Sequence, residues 1–418
     1  MNILVIGSGG REHAIVKKIS ESSKVDKLYC APGNGGISDI AECVDISVTE
    51  FDKLIDFAKN NNIDLTVVGP DDPLVLGIVD EFQKAGLKVF GPCKEAAQLE
   101  GSKVFSKELM KKYNIPTASY EVFTEYDKAL SYIKEMDKYP AVIKAEGLAL
   151  GKGVIIAKDF KEAEEGLKEI MLDKVFGNSG NRVVIEEFLQ GPEISVLSFC
   201  DGNTVIPMVS SQDHKRAYDN DLGPNTGGMG TFSPSRIYTE ELAKECMENI
   251  FIPTVKALRN EGIIYKGVIY FGLMSTKDGV KVIEYNARFG DPETQVVLPR
   301  LKTDIVDIFE AVCDGNLDKV NIEWYDNACV CVIEASGGYP KSYNKGYEIF
   351  GLDDIDSNNY VYHAGTKKEN GKYYTNGGRV LGITAIADNL DNAIKDAYKA
   401  VEKISFKDMF YRKDIGIK

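Results

Sequence analysis

Short apolar runs alternate with helical patterns through the first hundred residues of the chain. This alternation is typical of a doubly wound parallel sheet, in which a helix connects each strand to the next. Ligands bind such sheets at the carboxyl ends of the strands, where glycines follow two of the predicted strands. The alternation therefore predicts an α/β fold with a binding edge near the N-terminus. The predicted strands cover residues 2–6, 27–30, 65–68 and 88–90, and the predicted helices cover residues 11–20, 49–60 and 73–85.

The pattern changes after residue 101, where strands are joined by glycine turns rather than by long helices. A polar, glycine-rich stretch at 212–234 is too long for an idle connection and is a candidate functional loop. We expect an α+β multidomain chain with units at 1–101, 102–325 and 326–418, the last small and rich in strands. Further predicted strands cover residues 141–145, 154–157, 182–189, 194–200, 204–209, 267–275 and 280–286, and further predicted helices cover residues 102–113, 160–172, 239–261 and 390–403.

The charge balance of the chain limits its partners. Its 418 residues include 50 basic and 64 acidic side chains, a formal net charge of −14, which argues against nucleic-acid or anionic-membrane binding. No run approaches the roughly 18 consecutive apolar residues of a membrane span, and no basic segment of a secretory signal is present. The eight cysteines form no C-x-x-C pair, which favours free thiols. We therefore expect a cytoplasmic protein that binds neither nucleic acid nor a membrane.

A glycine turn, Gly7-x-Gly9-Gly10, follows the first predicted strand. A dinucleotide fingerprint would require a third glycine at position 12, which is Glu12, and an acidic residue near 31–32, which are Ala-Pro. NAD is therefore not expected. The backbone N–H groups of such a turn, at the start of a helix, still suit a phosphate, although a plain strand-to-helix turn is the alternative.

The predicted strand at 141–145 contains Lys144 and leads into a glycine-rich loop that ends at Gly153. A lysine is costly to desolvate, so a lysine in apolar sequence requires an anionic partner. A glycine loop beside it can close its amides on triphosphate oxygens. It is not a P-loop, because no G-x-x-x-x-G-K-[ST] precedes a helix. An edge-strand lysine beside a simple hairpin remains the alternative.

Two neighbouring glutamates, Glu186 and Glu187, are on opposite faces of the predicted strand 182–189, and Glu193 begins the next strand. One of the pair could point inward while the strand backbone binds an adenine edge. Surface glutamates on an edge strand are the alternative.

Glu284 and Asn286 lie two residues apart on the predicted strand 280–286, so their side chains project from one face. A carboxylate and an amide carbonyl are hard oxygen ligands, suited to Mg²⁺ that is otherwise held by phosphates and water. Arg288 continues the same spacing and could bind a carboxylate through two N–H groups. A solvent-facing polar strand edge is the alternative.

Longer motifs connect these residues to a known family. The sequence resembles the glycinamide ribonucleotide synthetase (phosphoribosylamine–glycine ligase) family of the ATP-grasp superfamily over essentially its whole length. The 212–230 loop and the Gly-Gly-Arg-Val-Leu motif are specific to that family. Mild departures occur at Asp71-Asp72, Leu150 and Pro192. The matching segments are residues 7–14 (GSGGREHA), 142–145 (VIKA), 212–216 (QDHKR), 223–230 (GPNTGGMG), 286–295 (NARFGDPETQ), 363–366 (HAGT) and 377–381 (GGRVL).

The resemblance implies a ligase of purine biosynthesis that phosphorylates the carboxylate of glycine with ATP. The glycyl phosphate then reacts with the amine of 5-phosphoribosylamine, giving glycinamide ribonucleotide, ADP and phosphate. The resemblance also implies a Rossmann-like N-terminal domain, an ATP-grasp domain with a mobile lid at about 117–190, and a C-terminal domain. The protein is expected to be a monomer or a weak homodimer.

The resemblance assigns roles to individual residues. Lys103 and Lys144 would contact ATP phosphates, the 186–189 segment would bind adenine, and Glu193 would hold the ribose. Glu284 and Asn286 would hold Mg²⁺ or Mn²⁺, and Lys144 would be catalytic. Arg288 is the other catalytic candidate, because its spacing after Asn286 suits it to the glycine carboxylate. The full implied ATP site is Lys103, Lys144, Gly151, Gly153, Glu186, Glu187, Phe188, Leu189, Glu193, Arg216 and Asn225. The implied substrate site is Gly9, Gly10, Asp213, Arg288, Gly378 and Arg379.

Three other functions differ from this one in identifiable sequence features. Another ATP-grasp carboxylate–amine ligase, such as a biotin-carboxylase-like enzyme, would share the ATP half but lack the 212–230 loop and the 377–381 motif. An NAD oxidoreductase would need the missing acidic residue after its second strand. A non-catalytic nucleotide-binding protein would be expected to have lost Glu284 or Asn286, and both are present.

Overall fold

A computed structural model describes residues 1–148 and 153–417. The first hundred residues form a parallel five-stranded sheet in the order β3-β2-β1-β4-β5, as the alternation predicts. The predicted helix at 73–85 is instead two helices, because Gly77 has a φ of +100° and ends the first of them. The elements are β1 (Asn2–Gly7), α1 (Gly10–Ile19), β2 (Lys27–Pro32), β3 (Glu42–Cys43), α2 (Phe51–Asn60), β4 (Leu65–Val68), α3 (Asp71–Leu76), α4 (Ile78–Lys84) and β5 (Val89–Phe90).

An antiparallel sheet in the order β6-β9-β7-β8 follows and has its own apolar core. The helix before it begins at Ser102, whose hydroxyl accepts the Phe105 N–H, so that the predicted cap is confirmed. The predicted strand 182–189 is wrong at its end, because β9 stops at Glu187. The elements are α5 (Gln98–Gly101), α6 (Lys103–Lys112), β6 (Tyr120–Phe123), α7 (Tyr126–Met136), β7 (Ala141–Ala145), β8 (Val154–Ala157), α8 (Phe160–Met171) and β9 (Val183–Glu187).

A second antiparallel sheet, in the order β11-β10-β16-β17, lies between the first sheet and the C-terminal part of the chain. One apolar core contains residues of both the parallel sheet and this central sheet, which fixes the two relative to each other. The predicted helix 239–261 is observed as two helices joined by a wider turn at Met247–Phe251. The elements are β10 (Glu193–Cys200), β11 (Val205–Pro207), β12 (Gln212–Asp213), β13 (Arg216–Tyr218), β14 (Leu222–Asn225), β15 (Gly230–Ser233), α9 (Glu240–Cys246), α10 (Ile252–Asn260), β16 (Gly267–Thr276), β17 (Gly279–Asn286), α11 (Thr294–Val297) and α12 (Ile305–Asp314).

The C-terminal residues form a third antiparallel sheet, in the order β12-β15-β18-β22-β19. Two of its strands come from the 212–234 stretch, so this loop joins the central part of the chain to the C-terminal part. The whole is a mixed α/β multidomain fold, as the sequence predicts. The remaining elements are β18 (Ala328–Ala335), β19 (Asn359–His363), β20 (Thr366–Glu369), β21 (Lys372–Thr375), β22 (Arg379–Ala387) and α13 (Leu390–Val401).

Two expectations from composition can be compared with the fold. All eight cysteines are free thiols, as the absence of paired spacings predicts. Among the described residues, no helix combines the length and the apolar character needed to cross a membrane.

The three histidines of the chain are all buried. His13, on α1, accepts the backbone N–H of His363 at 2.8 Å and so connects the parallel sheet to the C-terminal sheet. Burial, together with the neighbouring His363, lowers the pKa of His13 to about 3. Burial likewise lowers the pKa of His214 and of His363 to about 4.

These histidines predict acid destabilisation that begins well above the carboxylate range. Between about pH 6.5 and pH 4 the unfolded chain protonates its histidines while the folded chain holds them neutral, so stability falls as pH falls. Each histidine contributes up to about 1.4 kcal/mol per pH unit. Melting temperatures measured from pH 7 to 4.5 should therefore drop steadily, and His363→Gln should have the shallower profile. Parallel profiles for the two proteins would contradict this account.

Candidate active site

The glycine turn lies at the carboxyl end of β1 and closes on a carboxylate of its own helix. Gly9 N–H donates to Glu12 Oε2 at 2.6 Å, and Arg11 Nε donates to Glu12 Oε1 at 2.6 Å. A Cβ at Gly7 would lie 2.4 Å from the Glu12 side chain, so glycine is required there. The turn therefore presents Gly9 and Gly10 at the predicted edge of the sheet, with one of its amides already bonded to Glu12.

On β17 the side chains of Glu284 and Asn286 are partly exposed. Val282, which precedes them, and Tyr285, which lies between them, are buried. A bulge at Ile283 produces this arrangement, because Gly272 pairs with Glu284 and the next residue pairs with Val282. In the amide orientation that satisfies its neighbours, the Asn286 nitrogen donates to Glu100 Oε1 at 3.0 Å and turns its oxygen away. The two oxygen donors are thus available on one face, as the spacing predicts.

Three lysines surround Glu284. Lys215 Nζ lies 3.5 Å from Glu284 Oε1 and 3.1 Å from Glu193 Oε2. Burial raises the pKa of Glu284, but the positive charges of Lys215, Lys144 and Lys103 outweigh it and lower the pKa to about 2. Burial lowers the pKa of Lys215, but Glu193 and Glu284 hold it well above its ordinary value. The cluster is a concentrated positive region with one ionised carboxylate at its centre.

Lys144 and Lys103 approach this region from different elements. Lys144 lies on the face of β7 opposite Ile143 and Ala145, which pack into the helix-covered core. Its Nζ lies 3.0 Å from Glu186 Oε1 and donates to Ile283 O at 3.1 Å. A lysine in an apolar strand needs an anionic partner, and the buried carboxylate of Glu186 is that partner for Lys144. Lys103 Nζ, at the start of α6, donates to Gly147 O at 3.0 Å.

The 186–189 segment is divided between interior and surface. The Glu186 side chain is buried, whereas Glu187 is exposed, accepts the Ser119 N–H at 3.0 Å and pairs with Lys281. Phe188 and Leu189 follow the end of β9, so their backbone groups are outside the strand ladder. In the glycine loop, the carbonyl of Gly153 accepts the Ala145 N–H at 2.8 Å, and Gly151 lies outside the described residues.

Arg216 and Asn225 face each other across the β13–β14 hairpin. Arg216 Nη1 donates to Gly223 O at 2.8 Å, so part of the guanidinium stabilises the hairpin itself. Both side chains are half-buried. The structure thus places them together.

Three of the implied substrate residues, Gly9, Gly10 and Arg379, lie around Asp291, which sequence reasoning did not select. Arg379 Nη1 donates to Asp291 O at 2.9 Å and to Gly227 O at 2.7 Å, and Arg379 Nη2 lies 3.4 Å from Asp291 Oδ1. The Arg11 N–H donates to Asp291 Oδ2 at 3.4 Å. A Cβ at Gly378 would lie 2.3 Å from the Tyr339 ring, so the chain passes the ring only as glycine.

Asp213 is a half-buried acid beside this group. Burial raises its pKa well above the ordinary value and the Glu293 charge adds to the effect, although Lys215 and Arg379 oppose it. Asp213 and Glu293 are far apart in the chain, so the sequence does not indicate that their charges interact.

Arg288 has a carboxylate partner within the protein. Its Nη2 lies 2.9 Å from Glu100 Oε1, and Glu100 also accepts the Ala287 N–H at 2.7 Å. Its Nε is buried and has no hydrogen-bond partner among the described residues. The positive charge is therefore balanced by Glu100, and Arg288 Nη1 donates to Phe289 O at 3.3 Å.

Sequence reasoning missed several residues of the site. Glu100 and Lys215 form ion pairs with predicted residues, and Lys107 forms one with Glu186. Lys215 lies inside the matching 212–216 segment, which was a usable signal. Glu100 and Lys107 lie in ordinary helical sequence, and only their tertiary contacts identify them.

The chain matches three family models, for the N domain, the ATP-grasp (A) domain and the C domain of phosphoribosylglycinamide synthetase. They cover residues 1–100, 101–294 and 329–418 respectively. The chain belongs to the phosphoribosylglycinamide synthetase family. Members of this family are ATP-grasp ligases, and the predicted ligase class is confirmed.

Similar proteins carry the corresponding name. The phosphoribosylamine–glycine ligase of Caldanaerobacter subterraneus is 54% identical over 416 residues, which cover 100% of this chain and 99% of that protein. The enzyme of the same name from Fusobacterium nucleatum is 49% identical over 419 residues, covering 100% and 98% of the two chains. The predicted family and activity are therefore confirmed by relatives matched over their full length.

Solved structures agree with this assignment. The crystal structure of phosphoribosylamine–glycine ligase from Thermotoga maritima superposes with a TM-score of 0.87 at 33% identity, covering 99% of this chain and 100% of that one. The biotin carboxylase of Campylobacter jejuni superposes with a TM-score of 0.74 at 16% identity, covering 100% and 94%. At that identity the second likeness shows a common fold alone.

Proposed function

We propose that this protein joins glycine to 5-phosphoribosylamine through glycyl phosphate, with ATP as the phosphoryl donor. One observation carries the proposal beyond family membership: Lys215 lies 3.5 Å from Glu284, and the positive charges of Lys103 and Lys144 also act on this carboxylate. A carboxylate oxygen of glycine attacks the γ-phosphorus and ADP leaves. The amine nitrogen of 5-phosphoribosylamine then attacks the acyl carbon of glycyl phosphate. Inorganic phosphate leaves, and the attacking nitrogen loses a proton. This chemistry requires alignment and charge neutralisation rather than a protein nucleophile.

The nucleotide would lie between the β6–β9 sheet and β17. Lys103 and Lys144 would neutralise phosphate oxygens, a role supported by the positive charge that both contribute at Glu284. The backbone of residues 188–189, outside the β9 ladder, suits the adenine edge. Glu193, exposed beside Lys215, suits a ribose hydroxyl. Arg216 and Asn225 would complete the pocket from the β13–β14 hairpin.

The oxygen donors on β17 fit a divalent cation. Glu284 is ionised and Asn286 turns its amide oxygen away from Glu100, which provides two hard ligands on one face. Among the described residues no group of three or more His, Cys, Asp or Glu could hold a metal by itself. A cation completed by nucleotide phosphates and water is consistent with this donor set. Mg²⁺ or Mn²⁺ bound there would offset phosphate charge.

The two other substrates would approach from the opposite side of this cluster. Arg288, with an unpaired Nε, suits the glycine carboxylate. Gly9, Gly10 and Arg379, which lie around Asp291, would line the phosphoribosylamine site together with Asp213 and Gly378. The cytoplasmic location and a monomer or weak homodimer remain part of the proposal.

The reaction can be tested directly with purified protein. Incubation with ATP, glycine, Mg²⁺ and freshly prepared phosphoribosylamine should release ADP and form glycinamide ribonucleotide. Omission of any one substrate should abolish product formation. ADP release with another amine or carboxylate, but not with these two, would instead favour a different ATP-grasp ligase.

Arg288→Lys should raise the KM for glycine about tenfold or more while changing the KM for ATP little. Lysine keeps the positive charge opposite Glu100 but loses the planar donor fork that can bind a carboxylate. Steady-state kinetics for each substrate, together with melting curves, provide the measurement. Arg259→Lys, at an exposed position on α10, is the matched control. A normally folded Arg288→Lys protein with unchanged glycine KM would refute the role.

A further inference from the structure

A second lysine of α6, Lys107, is buried beside the proposed nucleotide site. It lies one helical turn after Lys103, so both side chains are on the same face of the helix. Its Nζ lies 2.9 Å from Glu186 Oε2 and donates to Thr117 Oγ1 at 2.8 Å. Thr117 in turn donates to Val282 O at 2.7 Å. The ammonium of Lys107 is therefore held in one position by two elements.

The carboxylate of Glu186 is shared between two lysines. Lys107 binds one oxygen and Lys144 lies 3.0 Å from the other. All three side chains are at most 5% exposed. A buried pair of Lys144 and Glu186 alone would be neutral, whereas the observed triad has one excess positive charge.

We propose that Lys107 is a positioning residue that neutralises Glu186, so that Lys144 presents an uncompensated positive charge to the nucleotide phosphates. This inference rests on the proposed function, since it presumes that Lys144 faces phosphate. Without Lys107, Glu186 would cancel the charge of Lys144 and draw its ammonium towards the interior. Lys107 itself would touch no substrate.

The groups around Lys107 give the inference a pH signature. Glu186 faces it from β9 and Lys144 from β7, the charge of the exposed Glu187 also acts on it, and the ring centroid of Tyr120 on β6 lies 5.8 Å from its Nζ. Burial lowers the pKa of Lys107 to about 8, although Glu186 and Glu187 oppose this. As pH rises through about 8, Lys107 loses its proton and nucleotide affinity should decrease.

The test is a set of four variants of the full chain: Lys107→Met, Lys107→Arg, Glu186→Gln and the Lys107→Met/Glu186→Gln double variant. The Kd for MgADP, from calorimetry, and the KM values for ATP and glycine are measured for each. Lys107→Met should raise the Kd for MgADP and the KM for ATP about tenfold and leave the glycine KM within twofold. The double variant should recover most of that loss, because Lys144 then faces a neutral partner.

Lys107→Arg keeps the positive charge at every accessible pH. Its ADP affinity should therefore equal that of the natural protein at pH 7, and it should not decrease above pH 8 as the affinity of the natural protein does. Unchanged ADP affinity in Lys107→Met would overturn the inference, as would equal losses for all substrates with a lowered melting temperature. If Lys107→Met does not fold, the pH profiles of the natural protein and Lys107→Arg decide, and coincident profiles overturn it. Failure of the natural protein to make product would contradict the proposed function and not the ADP-binding result.

Discussion

Replacing Glu284 with glutamine is expected to lower kcat about 100-fold or more at millimolar Mg²⁺. Glutamine preserves the shape of the side chain but removes the negative charge that three lysines hold ionised and that attracts a divalent cation. Activity should partly return as Mg²⁺ is raised, because a weakened site fills at higher concentration.

The measurement is initial rate against Mg²⁺ concentration, with a melting curve for each protein. Asp278→Asn is the matched control, because it removes one negative charge from the exposed turn that leads into the same strand. If Glu284→Gln were as active as the natural protein at sub-millimolar Mg²⁺, Glu284 would not be a ligand of the cation. A lost unfolding transition would show that the carboxylate is needed to offset the lysines in the fold.

Lys144→Met is expected to weaken ATP binding 10-fold to 100-fold and to slow phosphoryl transfer, with little change in glycine binding. Methionine keeps the apolar stem in β7 but removes the charge that lies against Glu186 and the donor to Ile283 O. Because Lys107 still pairs with Glu186, no carboxylate is left buried and alone. We therefore expect the fold to survive.

Calorimetry with ATP, alongside turnover, separates the binding effect from the chemical one. Lys158→Met, at an exposed position directly after β8, is the control for loss of a positive charge in the same sheet. Unchanged ATP affinity together with normal turnover would reduce Lys144 to a structural partner of Glu186.

The sequence predicts those parts of the molecule that depend on local pattern. The alternation of strands and helices identifies the parallel sheet, and the spacing of Glu284 and Asn286 places both on one face. The bulge at Ile283 that produces this face, and the end of β9 at Glu187, have no local signal because strand pairing determines them. Gly77, by contrast, is a local helix-ending signal inside the segment 73–85.

The candidate site was predictable only for residues with a distinctive local context. Lys144 interrupts an apolar strand, so its need for an anion is visible in the sequence. Lys107 and Glu100 occupy helices in which lysine and glutamate are ordinary surface residues. Their importance comes from contacts across 79 and 188 residues of chain, to Glu186 and Arg288.

The contacts of Asp291 have a consequence for how the protein is made. Its carboxylate receives the N–H of Arg11 and lies beside the guanidinium of Arg379, so it joins segments from near both ends of the chain. A ribosome releases Arg379 only after most of the polypeptide has emerged. The nascent chain can therefore assemble the parallel sheet and the lysine cluster early, while the edge at Asp291 stays incomplete. Under the proposed function, chains that end before Arg379 would contain the lysine cluster but lack part of the phosphoribosylamine site.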